Sequence, residues 1–268
     1  MREIKKTYIG RYSGGGGDGD VPRKYAQVYN WQSGPEIEYK MNLFFFRSKE
    51  FSTLNSKNIN ILASGCSNSM GWGIFENNMW SNYLYEDFKL LKNNINIDNI
   101  SYPGASIHSI IRNINAFINN YGTPNYIFIC FPSIARNLYY YPKQNGFVNA
   151  FLINKHLMPP VELQKKYSKE YVHENNLLLA TTLLYMLESI CVSKGIKLIW
   201  TSWNEDDCDI FKELNFNNFI DIKTINSVIV NNLNNDPYWE YGKDGVHFGV
   251  KWHKQVSTVF FDRIKHEI

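Results

Sequence analysis

Residues Ile59-Asn60-Ile61-Leu62-Ala63-Ser64 form a short run of apolar and β-branched side chains that breaks at Gly65 into a turn of small residues, Gly65-Cys66-Ser67-Asn68-Ser69. An apolar run this short, ended by glycine, reads as a buried strand, and Met70 onward reads as the approach to a helix. A strand that turns directly into a helix holds the turn at the carboxyl edge of a parallel sheet, where open α/β folds bind ligands. Backbone N–H groups at such a helix start can also hold a developing negative charge. Ser67, in the middle of the turn, is therefore a candidate nucleophile, although a plain structural turn uses the same residue types.

The chain after this turn keeps alternating. Strands are predicted at about 59–64, 98–101, 126–131, 196–200 and 219–222, and helices at about 76–92, 106–120, 174–193 and 248–265. The second helix gathers Ile107, Ile110, Ile111, Ile114, Phe117 and Ile118 on one face. Tyr126 to Phe131 is apolar throughout, as a strand covered on both faces should be. Strand, helix, strand, helix in this order predicts an α/β chain with a mostly parallel sheet between two helical layers. Residues 1–57 read as a Gly/aromatic-rich N-terminal extension ahead of a main domain at 58–268. Its alternating aromatics, Tyr25 to Trp31, suit an edge strand or a docking arm for a protein partner, and Phe44 to Phe46 are expected to pack on the main domain. Residues 132–173 are long for an α/β connection and read as an insertion, either a lid over substrate or a locally packed aromatic loop.

Charge and cysteine usage narrow the function classes. Net charge is +3, with no basic run, so nucleic acid is not an expected partner. The four cysteines, Cys66, Cys130, Cys191 and Cys208, form no C-x-x-C pair and no zinc-type spacing. Asp18 and Asp20 in the Gly14–Asp20 stretch do not have EF-hand spacing, Gly65 to Gly71 lacks the Gly-Lys-Ser/Thr of a P-loop, and Gly71-Trp72-Gly73 is not a dinucleotide fingerprint, so neither a metal nor another cofactor is expected. No apolar segment follows Met1-Arg2-Glu3-Ile4-Lys5-Lys6, which predicts no secretory signal and a cytoplasmic or virion-associated protein. The longest apolar stretch, Leu177 to Leu187, is too short to predict a membrane span.

Near the other end stands Asp244-Gly245-Val246-His247. A serine hydroxyl is a weak nucleophile until a base takes its proton, and the base works best when a carboxylate orients it. Asp-x-x-His can supply both groups from one tight loop. The alternative is that Asp244 merely caps the last helix and His247 is an ordinary surface or core histidine. Between these segments, Asn99-Ile100-Ser101-Tyr102-Pro103-Gly104-Ala105-Ser106 follows a short strand, and its glycine can expose an N–H to a bound carbonyl oxygen. Cys66 is a second, weaker candidate nucleophile, placed on the other side of the turn.

In order and spacing these three segments resemble the SGNH (GDSL-type) hydrolase family. Gly65-Cys66-Ser67 stands where that family carries its G-D-S-like turn, in the G-C-S form seen in phage-encoded members. Gly104 stands at the oxyanion glycine, and Asp244-Gly245-Val246-His247-Phe248-Gly249 fits the final D-x-x-H block. The resemblance implies a three-layer α/β/α fold around a five-stranded flavodoxin-like sheet, and ester hydrolysis by Ser67, His247 and Asp244 without a cofactor. The family's third block, G-x-N-D, is replaced by Phe131-Pro132-Ser133-Ile134-Ala135-Arg136-Asn137. Ser133 is the positional substitute for the missing asparagine, and Asn137, a turn later, is the second candidate donor. The expected substrate is an ester, with O-acetyl groups on a polysaccharide favoured by the aromatic content. The competing expectation is a non-catalytic module of the same fold, acting as a virion-associated interaction protein.

Overall fold

The computed structural model describes residues 37, 39–141, 146–151, 173–221 and 247–268. The first strand, β1 (Ile59–Gly65), runs straight into a four-residue helix, α1 (Ser67–Met70). A 3-10 turn at Glu76–Asn78 leads into α2 (Trp80–Leu91), then β2 (Ile95–Asn99), α3 (Ile107–Tyr121) and β3 (Tyr126–Phe131). A hairpin of β4 (Arg136–Tyr141) and β5 (Gly146–Phe151) follows, then α4 (His173–Ser193), β6 (Lys197–Ser202), α5 (Glu205–Glu213) and α6 (Val250–Ile264).

The main sheet is parallel, in the order β2-β1-β3-β6, and β4 and β5 pair separately and antiparallel. Side chains alternate across this sheet with period two, and each face has its own core. Leu62, Ile127, Ile129, Leu198 and Trp200 meet α3 and α4 on one side. Ile61, Ala63, Phe128, Cys130 and Ile199 meet α2 and α6 on the other, where Trp80, Trp252 and Phe260 are fully buried. Covering both faces is what allows nearly continuous apolar strands such as β3. The architecture is the three-layer α/β/α arrangement expected, with four of the five strands present. For the fifth, only Phe219 bridges Trp200 in parallel, and residues 222–246 lie outside the described set.

Several elements differ from the expectations, for local reasons. The helix after β1 begins at Ser67 itself and ends at Met70, because Gly71 adopts a left-handed φ of 76° that closes it. The next helix starts only at Trp80, after the 3-10 turn. The second strand is Ile95–Asn99 rather than 98–101: among the described residues it is the outermost strand of the sheet, and Ile95 and Ile97 alternate with Asn96 and Asp98 instead of forming an apolar run. α4 matches the helix expected at 174–193, but the apolar part of it is longer than Leu177 to Leu187: Asn175–Ser193 is long and apolar enough, by length and composition alone, to cross a membrane. Ala180, Leu184, Leu187 and Cys191 of that helix are buried in the core, while Leu178, Tyr185, Met186 and Val192 are exposed.

The segment just before β1 is packed on the main domain. Asn42 folds a tight turn, its Oδ1 accepting the N–H groups of Phe44 and Phe46 at 3.0 and 3.1 Å. That turn sends Phe44 and Phe46 toward the α3 side with Phe51 and Leu54, and holds Phe45 exposed at a positive φ of 61°. The Gly-rich stretch and Tyr25 to Trp31, with the docking role expected of them, lie outside the described residues, as does 152–172 of the insertion.

Candidate active site

The strand order reverses direction between β1 and β3, which places the ligand-binding crevice of such a sheet beyond their carboxyl ends. Ser67 follows β1 there, as the first residue of α1 after the N-cap Cys66. Gly65 is required at this point: a Cβ would sit 2.2 Å from Ser69 Oγ and 2.7 Å from the Cys130 carbonyl oxygen. The strand can therefore turn into the helix against β3 only without a side chain.

His247 Nε2 lies 2.8 Å from Ser67 Oγ, joining residues 180 positions apart. At this distance the ring nitrogen can take the hydroxyl proton when its tautomer leaves Nε2 free to accept. The indole of Trp72 stacks on the imidazole, with centroids 6.1 Å apart and planes 28° from parallel. The last helix has Gly249 as its N-cap residue. Asp244 itself, with Gly245 and Val246, lies outside the described residues.

The loop carrying Gly104 is tied to the serine turn. Ile100 N–H donates to the Ala63 carbonyl at 2.9 Å, and Tyr102 N–H to the Gly65 carbonyl at 3.3 Å. Asn99 Nδ2 donates to the Ser69 carbonyl at 3.3 Å and to Ser81 Oγ at 3.2 Å, while its Oδ1 accepts Ser101 N–H at 2.9 Å. Gly104 has a φ of 71° and nothing within 4 Å of where a Cβ would be, so its outer side is open. Ser106 caps α3 with Ser109 in a reciprocal pair.

Beyond β3, Ser133 is buried and its Oγ accepts Ala135 N–H at 3.2 Å, while the adjacent Ile134 N–H donates to Asp207 Oδ2 of α5 at 2.9 Å. A hydroxyl that accepts one bond still has a proton to donate. Asn137 sits in β4 opposite Ala150, inside a strand rather than in the turn after β3. Cys66 is fully buried within the α3-side core, and its Sγ accepts the indole N–H of Trp203 at 3.2 Å. Sequestered there, the thiol is a packing group and not an accessible nucleophile. The same contact ties Trp203, the residue after β6, to the serine turn. Burial pushes the neighbouring Cys130 thiol well up. Among the described residues no group of three His, Cys, Asp or Glu side chains could hold a metal ion.

One residue beside the site carries no sequence signal. His253, on α6, is fully buried and its Nδ1 accepts the N–H of Trp80 at 3.1 Å, stitching α6 to the start of α2. With Nδ1 accepting, the proton sits on Nε2. Burial first, then the positive fields of Arg47 and His247, pull its pKa down to about 3. The unfolded chain therefore takes up a proton near pH 6.5 that the folded chain refuses until about pH 3, and stability must fall with pH across that window. The loss amounts to several kcal/mol in order of magnitude. Thermal midpoints measured from pH 7 to 3 should show this decline, and His253→Gln should flatten it; an equally steep decline in the variant would refute the assignment.

No family model and no curated protein matches this chain. Solved structures do. The psychrotrophic esterase EstA from Pseudoalteromonas aligns over 78% of this chain and 98% of its own, at 14% identity and a TM-score of 0.45. A GDSL-like lipase from Bacteroides thetaiotaomicron aligns over 81% and 93%, at 12% identity and 0.46. A lipase/acylhydrolase from Enterococcus faecalis aligns over 78% and 96%, at 12% identity and 0.44.

Proposed function

We propose that this protein is a serine esterase of the SGNH type. The reading is carried by one observation, the 2.8 Å approach of His247 Nε2 to Ser67 Oγ at the carboxyl edge of a parallel sheet. Ser67 Oγ attacks the ester carbonyl carbon while His247 takes its proton. The tetrahedral oxyanion is held by the backbone N–H groups of Ser67 and Gly104, with the Ser133 hydroxyl as a third donor and the Asn137 amide as the alternative third. His247 then protonates the departing alcohol, and a water, deprotonated by the same imidazole, releases the acid and frees Ser67. Asp244, three residues before His247, is assigned to the other ring nitrogen, fixing the tautomer and supporting the imidazolium. No step calls for a metal or cofactor. The favoured substrate class is an O-acetylated carbohydrate, consistent with the aromatic-rich insertion at 132–173.

Exposure to a fluorophosphonate probe followed by peptide mapping tests the proposal. The expected result is a single covalent adduct on Ser67, absent from Ser67→Ala. A folded wild-type chain that takes up no probe would instead support a non-catalytic module of the same fold.

A further inference from the structure

The segment ahead of β1 places a buried cation under the serine turn. Arg47 is 2% exposed. Its Nη1 donates to the carbonyl of Gly71 at 2.7 Å and of Ile74 at 3.0 Å, and lies 3.5 Å from that of Met70. Met70 and Gly71 close the short helix that Ser67 opens. A Cβ on Gly71 would meet Met79 Cγ at 2.5 Å and Arg47 Nη1 at 3.2 Å, so glycine is also what lets the guanidinium come this close. Tyr39 completes the arrangement: its ring lies 4.5 Å from Arg47 Cζ, and its hydroxyl oxygen accepts the Gly73 N–H at 2.8 Å. Between the two anchored glycines stands Trp72, and its indole stacks on His247.

We infer that Arg47 and Tyr39 are positioning residues for the Ser67–His247 pair. They act through the backbone of Gly71 and Gly73, and through the indole held between those two points. Ser67 is fixed at the far end of the same short helix whose last carbonyls Arg47 grips, and His247 is fixed by the ring that follows. Hydrogen bonds from a charged donor are about twice as strong as neutral ones, and a planar guanidinium can serve several carbonyls without rotating. A buried charge is costly to keep out of water, and part of that cost is offset here by the carbonyls of Gly71 and Ile74. A misplacement of about 1 Å in a reacting pair costs on the order of 100-fold in rate. The kinetic part of this inference rests on the esterase reading; the geometric part does not.

Arg47→Met, Arg47→Lys and Tyr39→Phe test it in the full chain, with p-nitrophenyl acetate turnover, fluorophosphonate labelling and the ring ¹⁵N resonances of His247, identified by their loss in His247→Gln. Arg47→Met, folded by circular dichroism, should lose about 10- to 100-fold in both kcat and labelling rate with KM little changed. The His247 resonances should move, and Arg47→Lys should recover part of each effect. Tyr39→Phe removes one hydrogen-bond acceptor and should lose about 3- to 10-fold. It decides the matter by the same readouts should Arg47→Met not fold. Wild-type labelling rates and unmoved His247 resonances in a folded variant overturn the inference. If the wild type itself neither labels nor turns over substrate, the esterase reading fails, and the resonances alone decide the role of the clamp.

Discussion

Ser67→Ala and His247→Ala are each expected to lower kcat for p-nitrophenyl acetate by about 10,000- to 1,000,000-fold, and the double variant to be no slower than the worse single one. The reason is that the two groups act as one device. Without the imidazole, Ser67 has no acceptor at 2.8 Å for its proton, and without the hydroxyl the imidazole has nothing to deprotonate. Losses in such a unit are not additive. Either substitution should leave the fold intact, since Ser67 is a small side chain in a helix held by backbone contacts and His247 lies only partly buried outside both cores. Steady-state rates of the three variants decide the point. Losses that multiply in the double variant would mean that Ser67 and His247 contribute independently, and the proton-transfer account would be wrong. Full activity in Ser67→Ala would remove it altogether.

The pairing of positions 67 and 247, seen in the 2.8 Å contact, was legible only from two segments taken together. Gly65-Cys66-Ser67 alone also reads as a plain turn and His247 alone as an ordinary histidine, and it was their order and spacing, resembling one hydrolase family, that joined them. β3 and α3 were legible for a simpler reason: their apolar patterns are uninterrupted, one by burial on both faces and the other by a 3.6-residue period. The parts that escaped have mixed patterns. α5, Glu205 to Glu213, spans nine residues, with Cys208, Ile210 and Phe211 as its apolar anchors, too weak a stripe to read as a helix. β2 was expected but placed about three residues late, because Ile95 and Ile97 alternate with Asn96 and Asp98 and form no apolar run. The β4–β5 hairpin went unread in a tyrosine-rich stretch, although the sequence between its strands, Pro142-Lys143-Gln144-Asn145-Gly146, carries the Pro and Asn-Gly of a hairpin turn. Arg47 and His253 illustrate a deeper limit. A basic side chain in sequence looks solvated by default, and only the fold shows that one is buried against three carbonyls and the other held neutral against the Trp80 N–H.

Gly65→Ala is the second change expected to have a large effect, this time on the fold itself. The new methyl would fall 2.2 Å from Ser69 Oγ, 2.6 Å from Ser69 Cβ and 2.7 Å from the Cys130 carbonyl oxygen. A serine can rotate, but the carbonyl belongs to β3, whose Cys130 is the register partner of Gly65 in the central pairing of the sheet. Relief therefore requires β1 and β3 to separate at the end that carries Ser67. Overpacking of a tight core costs about 1–3 kcal/mol and occasionally more, and backbone contacts that cannot rotate away place this site at the upper end. For a domain of this size that corresponds to a fall of roughly 5–10 °C in the thermal midpoint. Adding Ser69→Gly removes two of the three close contacts and should restore part of the stability, leaving the share due to Cys130. Because the strain is released at the mouth of the site, labelling of Ser67 by a fluorophosphonate should slow in Gly65→Ala even at temperatures where the variant is folded. A Gly65→Ala chain with the wild-type midpoint and labelling rate would show that the strand end can open without cost, and that the serine turn is not held against β3 in the way its contacts imply.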